Sequence, residues 1–247
     1  MKKLNLAVTL AVSGLGLAIA GAATGQDRLP ETEVPAGSRI RLPVEYRSKP
    51  ADLARGAMSR LAMCVYEEKP VLVDKLLDYS DPVAFDPKST GIKGNWIDRL
   101  GLLSCLSREA LDGAVELRFT PGALHYMLTE AAYLSANPMP PSWLAEPRPA
   151  AERQFVATGK ELALAQALAE LADCMVAADP AHSDELLRTT VTSDGEQAAA
   201  RKLAPALGGC LYQGQALDLT PANIRGWAAS GLWQAERQRA RSSGTAN

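Results

Sequence analysis

Histidine occurs only twice in 247 residues, as His125 and His182. That scarcity leaves little from which to build a histidine-based metal centre or a nucleophile–histidine pair, and neither residue has a partner at a recognisable motif spacing. The four cysteines, Cys64, Cys105, Cys174 and Cys210, contain no CxxC pair, which argues against a zinc knuckle or a thioredoxin-type site. There is no basic run, and the formal net charge is -2. A mildly acidic chain of this kind is a poor partner for nucleic acid or an anionic membrane surface. Gly159-Lys160-Glu161 resembles part of a phosphate loop, but Gln154 stands where the first glycine belongs and Glu161 where a hydroxyl belongs. No catalytic, metal-binding or cofactor-binding residue is nominated on these grounds.

What is present begins at the N-terminus. Lys2 and Lys3 precede an uncharged apolar run from Leu6 to Ala20, followed by Ala18-Ile19-Ala20 and Ala20-Gly21-Ala22. A basic start, an apolar run and a small-residue cleavage pattern are the parts of a secretory signal, expected here over residues 1–22. A membrane-spanning helix needs roughly 20 apolar residues, more than this run supplies. No other long apolar segment follows, so no stable membrane insertion is expected once the signal is removed.

The chain also repeats itself. Leu61–Leu77 and Leu171–Leu187, offset by 110 positions, are identical at seven of 17 places, including Cys64/Cys174, Pro70/Pro180 and Asp74/Asp184. Leu102, Cys105 and Leu106 then match Leu207, Cys210 and Leu211, and Leu117–Pro121 matches Leu217–Pro221. Three ordered matches with falling offsets indicate a tandem duplication with shortened loops. The expected architecture is all-α, with two tandem four-helix repeats. The first helix of each copy ends at its first cysteine. Pro70 or Pro180 opens the second, and the third carries the second cysteine. Thr120-Pro121 or Thr220-Pro221 caps and starts the fourth. Ala114–Phe119 and Gln215–Leu219 alternate and could pair as a small two-stranded element.

The expected segments are an irregular stretch over 23–49, repeat 1 over 50–135, a Pro-rich linker over 136–156, repeat 2 over 157–234 and a flexible tail over 235–247. The linker contains Pro138, Pro140, Pro141, Pro147 and Pro149, a composition that favours an extended, semi-rigid chain. Its alternative is to pack across both copies through Trp143 and Leu144.

An even cysteine count in an exported chain argues for disulfides. Duplication favours Cys64–Cys105 with Cys174–Cys210, each staple within its own copy. Cys64–Cys174 with Cys105–Cys210 also respects the symmetry.

Among other polar groups, Glu67, Glu68, Glu116 and Glu130 could in principle supply a carboxylate pair for glycoside hydrolysis. Copy two has Ala177, Ala178, Ala216 and Ser230 at those places, so solvated helix faces are expected. His125 aligns with Arg225 and His182 with Leu72, and His125 is expected on a helix surface. Asp74/Asp184 is the charged pair common to both copies and is read as structural. Tyr126, Tyr133, Arg225, Trp227 and Trp233 form a candidate interaction surface, with the core of the fourth helix as the competing assignment.

Leu171–Cys174, Asp179-Pro180, Leu186-Leu187, Cys210-Leu211 and Leu217–Pro221 together resemble exported two-repeat, four-cysteine proteins of alphaproteobacteria. Copy one departs from that pattern at Lys69, where copy two has Asp179. The resemblance implies an envelope location and supplies no site. The expectation is therefore a periplasmic or secreted, non-enzymatic binding or scaffolding protein for an envelope protein or ligand. An enzyme acting on cell-envelope polymers and a small-ligand carrier are the alternatives.

Overall fold

A computed structural model describes residues 50–108, 120–146, 153–211 and 217–244, all within one compact unit, Arg39–Asn247. The expected signal, the 23–49 stretch and Ala114–Phe119 lie outside the described residues.

The described residues are all-helical, and no named strand occurs among them. The first half contains α1 (Pro50–Glu68), α2 (Pro70–Leu77), α3 (Trp96–Arg99), α4 (Leu102–Arg108) and α5 (Pro121–Ala136). The second contains α6 (Gly159–Ala178), α7 (Pro180–Arg188), α8 (Asp194–Lys202), α9 (Ala204–Cys210) and α10 (Pro221–Gly244). Where the sequence predicts one third helix in each half, the structure has two short ones. Gly101 takes φ +70 between α3 and α4, a left-handed conformation that ends a helix and suits glycine. Between α8 and α9, Pro205 falls in the first turn of α9, where it cannot donate the amide hydrogen that would continue α8.

The helix starts follow local chemistry. Thr120 Oγ1 accepts from the Ala123 N–H and Thr220 Oγ1 from the Asn223 N–H. Asp179 caps α7 through the His182 N–H, and Ser193 caps α8 through the Glu196 N–H. Each hydroxyl or carboxylate satisfies an amide that the helix itself leaves open.

Helix α10 is the spine of the molecule. It packs against α5, α6, α7 and α8, while α5 also packs against α1, α2 and α7. The buried side chains of both halves form one continuous core, from Leu61, Val65, Val73 and Leu76 through Leu128 and Tyr133 to Met175, Leu186, Leu203 and Leu232. The disulfides join Cys64 to Cys105 and Cys174 to Cys210. Each ties the first long helix of its half to the short helix that carries the second cysteine, and no free cysteine remains.

The Pro-rich stretch is not a free spacer where it is described. Ser142–Ala145 forms a 3-10 turn against α7, with Trp143 and Leu144 packed on the core. Trp143 Nε1 donates to Glu236 on α10. Beyond the prolines, the backbone N–H groups of Val156 and Ala157 donate to one oxygen of the buried Asp81 carboxylate, whose other oxygen accepts from Val83 and Ala84. One side chain thus fastens the segment before α6 to the turn after α2.

Residues 235–244 of the expected tail are likewise helical, since α10 continues to Gly244. Its arginines explain the difference. Arg237 pairs with Asp78 and lies over the Trp233 ring, and Arg239 pairs with Glu146 and lies over the Trp143 ring. A charged sequence that suggests loss of order is held by partners distant in the chain. Residues 217–219 of the second expected strand are described, and they precede α10 without strand pairing.

Candidate functional site

The seam between α5 and α10 brings aligned positions into reciprocal contact. Arg225 on α10 makes a two-point ion pair with Glu130 on α5, Nε to Oε2 at 2.9 Å and Nη2 to Oε1 at 2.8 Å. The aligned residues on the opposite helices are His125 on α5 and Ser230 on α10, with His125 Nε2 3.2 Å from Ser230 Oγ. Arg225 continues to the end of α7, donating to the carbonyls of Leu186, Leu187 and Thr189. A cation at a helix C-terminus meets the carbonyls that lack intrahelical partners.

The other half reaches the same kind of place indirectly. Arg153 pairs with Asp173 and donates to Ser230 Oγ at 3.2 Å. Ser230 then meets His125 Nε2, His125 Nδ1 lies 2.9 Å from Ser80 Oγ, and Ser80 donates to the carbonyl of Leu77 at the end of α2. One assignment satisfies every group: Ser230 donates to Nε2, and Nδ1–H donates to Ser80. A guanidinium thus reaches the end of α7 directly, and the end of α2 through three side chains.

This chain of bonds corrects the expectation for His125, which is buried rather than on a helix surface. It also decides its chemistry. Burial, reinforced by Arg153 and opposed by Asp81, pushes the imidazole down to about 3. A catalytic Ser–His pair needs a basic nitrogen facing the hydroxyl and an anion steadying the imidazolium. Here the basic nitrogen faces Ser230, whose hydroxyl is fully buried and already engaged by Arg153, and Nδ1–H meets the Ser80 hydroxyl where an anion would have to stand. His125 is a neutral connector. Its burial is invisible in the sequence, because the apolar spacing of the fourth helix leaves position 125 open to either face.

The carboxylates resolve in the same way. Glu67 and Glu68 are exposed, and Glu68 pairs with Arg108. Glu116 lies outside the described residues. Glu130 is not solvated as expected: it is nearly buried against Arg225. Glu196, which sequence reasoning overlooked, is more deeply buried. It accepts from Arg55 at 2.7 Å and from the Thr192 N–H, and lies 3.6 Å from Arg225. Its only sequence signal is the Ser193-x-x-Glu196 spacing of a helix start. Asp184 is buried, pairs with Arg188 and accepts from the Tyr133 hydroxyl at 2.7 Å, while Asp74 accepts from Tyr66. Burial raises the Asp74 carboxyl above its usual range and pushes the Tyr66 phenol up to about 12.

The five residues of the expected interaction surface do not form an exposed face. Tyr133 and Trp233 belong to the core, and Arg225 is buried in its ion pair. The reason is the α5–α10 seam, which turns those helix faces toward each other. Tyr126, Arg225 and Trp227 instead border an open groove of about 570 Å³ beside the starts of α5 and α10. Further along its walls lie Met58, Met127, Leu168, Val191 and Leu217. Its volume falls in the range of small-molecule sites. A second, much smaller recess of about 40 Å³ lies by Ser80, His125, Arg153 and Arg237. Cys64, Glu68 and Cys105 cluster closely enough to suggest metal ligands, but both sulfurs are engaged in a disulfide and have no thiolate to offer. No helix among the described residues is long and apolar enough to cross a membrane. Comparison of the chain with protein-family models, with curated proteins and with solved structures finds no match.

Proposed function

We propose that the chain is an exported, non-enzymatic binding protein of the cell envelope, built from two copies of one helical unit with its binding groove at the seam between them. The observation that carries this reading is the groove itself. It is open, mostly apolar and bordered by both halves, and the nearby polar clusters are engaged in holding helices together. The two disulfides support an oxidising compartment, which agrees with a cleaved signal at residues 1–22. Duplication is supported by the reciprocal pairing of positions 125 and 225 with 230 and 130. Glycoside hydrolysis canonically uses two available carboxylates facing each other, whereas Glu130 and Glu196 are both committed to arginines.

Native mass spectrometry of protein taken from a periplasmic extract, beside a Met58→Glu variant, tests the reading. A bound mass on the wild type that is absent from the variant supports it. Wild-type protein that carries nothing and cleaves envelope polymers overturns it. The same spectra give the mature N-terminus, expected after Ala20 or Ala22.

A further inference from the structure

We propose that Met139 is a modification site, a thioether held out in water that hydroperoxides oxidise to the sulfoxide while the fold stays intact.

Exposure is the first argument. Methionine occurs six times in the chain, and Met1 belongs to the expected signal. Of the others, Met127 and Met175 lie in the core at 9% and 0% exposure, and Met58 and Met63 are half-buried against it. Met139 is 76% exposed. The four cysteines are paired in disulfides, so none offers a thiolate in competition. Met139 is therefore the reduced sulfur that a small oxidant in solution meets first.

The chemistry is the second argument. A thioether lone pair attacks the nearer oxygen of a hydroperoxide. An S–O bond forms as the O–O bond breaks. The proton on the transferred oxygen passes through solvent to the leaving oxygen, which departs as water or an alcohol. Sulfur loses two electrons and the peroxide gains them. Charge separates along this path before the proton arrives, so the reaction needs water at the sulfur. A desolvated thioether such as Met175 reacts slowly for that reason. No neighbouring base is required, because a thioether has no proton to lose.

The third argument is that the fold does not use this side chain. Met139 is not among the residues packed on the core. The backbone around it is held by other groups. Arg188 donates to the carbonyls of Asn137 and Pro138, and the Leu144 N–H donates to the carbonyl of Pro141. Pro138 and Pro140 restrict the chain on either side. A sulfoxide here stays hydrated, whereas on Met127 or Met175 it would place a polar S=O group among apolar side chains.

The test treats the mature, disulfide-bonded protein with hydrogen peroxide under native conditions, with timed samples mapped as peptides by mass spectrometry. One oxygen is expected on Met139 first, at least roughly tenfold faster than on Met58, Met63, Met127 or Met175. The singly oxidised protein should keep its circular dichroism spectrum and its melting temperature. Met139→Leu should abolish the fast phase and leave the slower ones unchanged. Oxidation of Met58 or Met63 as early as Met139, or a fast phase that survives in Met139→Leu, overturns the site. A lowered melting temperature of the singly oxidised protein overturns the claim that the fold tolerates the sulfoxide. Met139 is not part of the groove wall, so the binding reading stands or falls separately.

Discussion

Arg225 and Glu130 meet across the α5–α10 seam as a nearly buried, two-point ion pair, 95 residues apart in the chain. Their alignment partners, His125 and Ser230, meet across the same seam in the opposite sense. Removing one member of a buried pair leaves the other charge without compensation. Arg225→Met should therefore cost about 3–5 kcal/mol in urea unfolding of the oxidised protein. Arg225→Lys should recover little, because an ammonium cannot make the two-point contact and reach the carbonyls of α7 as well. The Arg225→Met, Glu130→Met double variant should lose less than the sum of the single changes. A strictly additive result would show that the pair does not act as a unit.

The His125 chain makes a pH prediction. Its pKa is about 3 in the fold, against about 6.5 for an unperturbed histidine. The unfolded chain therefore binds the proton more readily, and acid favours unfolding. This contribution to stability is fully present above about pH 6.5 and is lost as pH falls toward about 3, at up to about 1.4 kcal/mol per pH unit. Urea midpoints measured from pH 7.5 down to 4.5 should fall more steeply for wild type than for His125→Gln, which retains a polar side chain but cannot titrate. Parallel slopes would mean that His125 protonates at its ordinary pKa.

Close contacts along α10 predict unequal costs for two glycines. A Cβ built on Gly231 lies 2.6 Å from the Ala172 carbonyl oxygen, whereas one built on Gly226 meets ring atoms of Tyr126 at 2.8 Å. Ala172 is held in α6, so its carbonyl cannot withdraw, while a tyrosine ring can turn. Gly231→Ala should cost about 1–3 kcal/mol from overpacking, even after alanine's better helix propensity of about 1 kcal/mol. Gly226→Ala should cost less, but should shift the near-ultraviolet dichroism of Tyr126. Equal thermal shifts for the two variants would contradict this ordering.

The helices were legible because their signals are local. Pro70, Pro180, Thr120-Pro121 and Thr220-Pro221 mark starts through backbone chemistry within one turn. The cysteine pairing followed from the sequence matches between the two halves. What escaped is what depends on the other half of the molecule. Nothing near His125 in sequence announces Ser80, Ser230 or Arg153, and nothing near Arg237 announces Asp78. The aromatics at 133 and 233 fit a core or a surface equally until the seam assigns them to the core. The groove could not be read either, because its walls come from α1, α5, α6 and α10 and from loops between helices.

The two disulfides differ in what covers them, and this predicts the order in which they open. Cys64 and Cys105 are buried, whereas Cys174 is exposed and Cys210 half-buried. Reduction requires a thiolate to reach a sulfur, so access sets the rate as much as chemistry does. Gly208 and Gly209, next to Cys210, have open space where a side chain would stand, which eases the approach. Brief treatment of native protein with dithiothreitol, followed by alkylation and peptide mapping, should give a species labelled at Cys174 and Cys210 alone. Cys64 and Cys105 should be labelled only under unfolding conditions. Opening the second bridge releases cysteines 36 positions apart, worth about 3–4 kcal/mol on an entropy model. Because α6 and α9 also pack against each other, the singly reduced protein should remain helical and unfold at lower urea. Simultaneous labelling of all four cysteines would mean that the first half opens as readily as the second, and that burial of Cys64–Cys105 gives no protection.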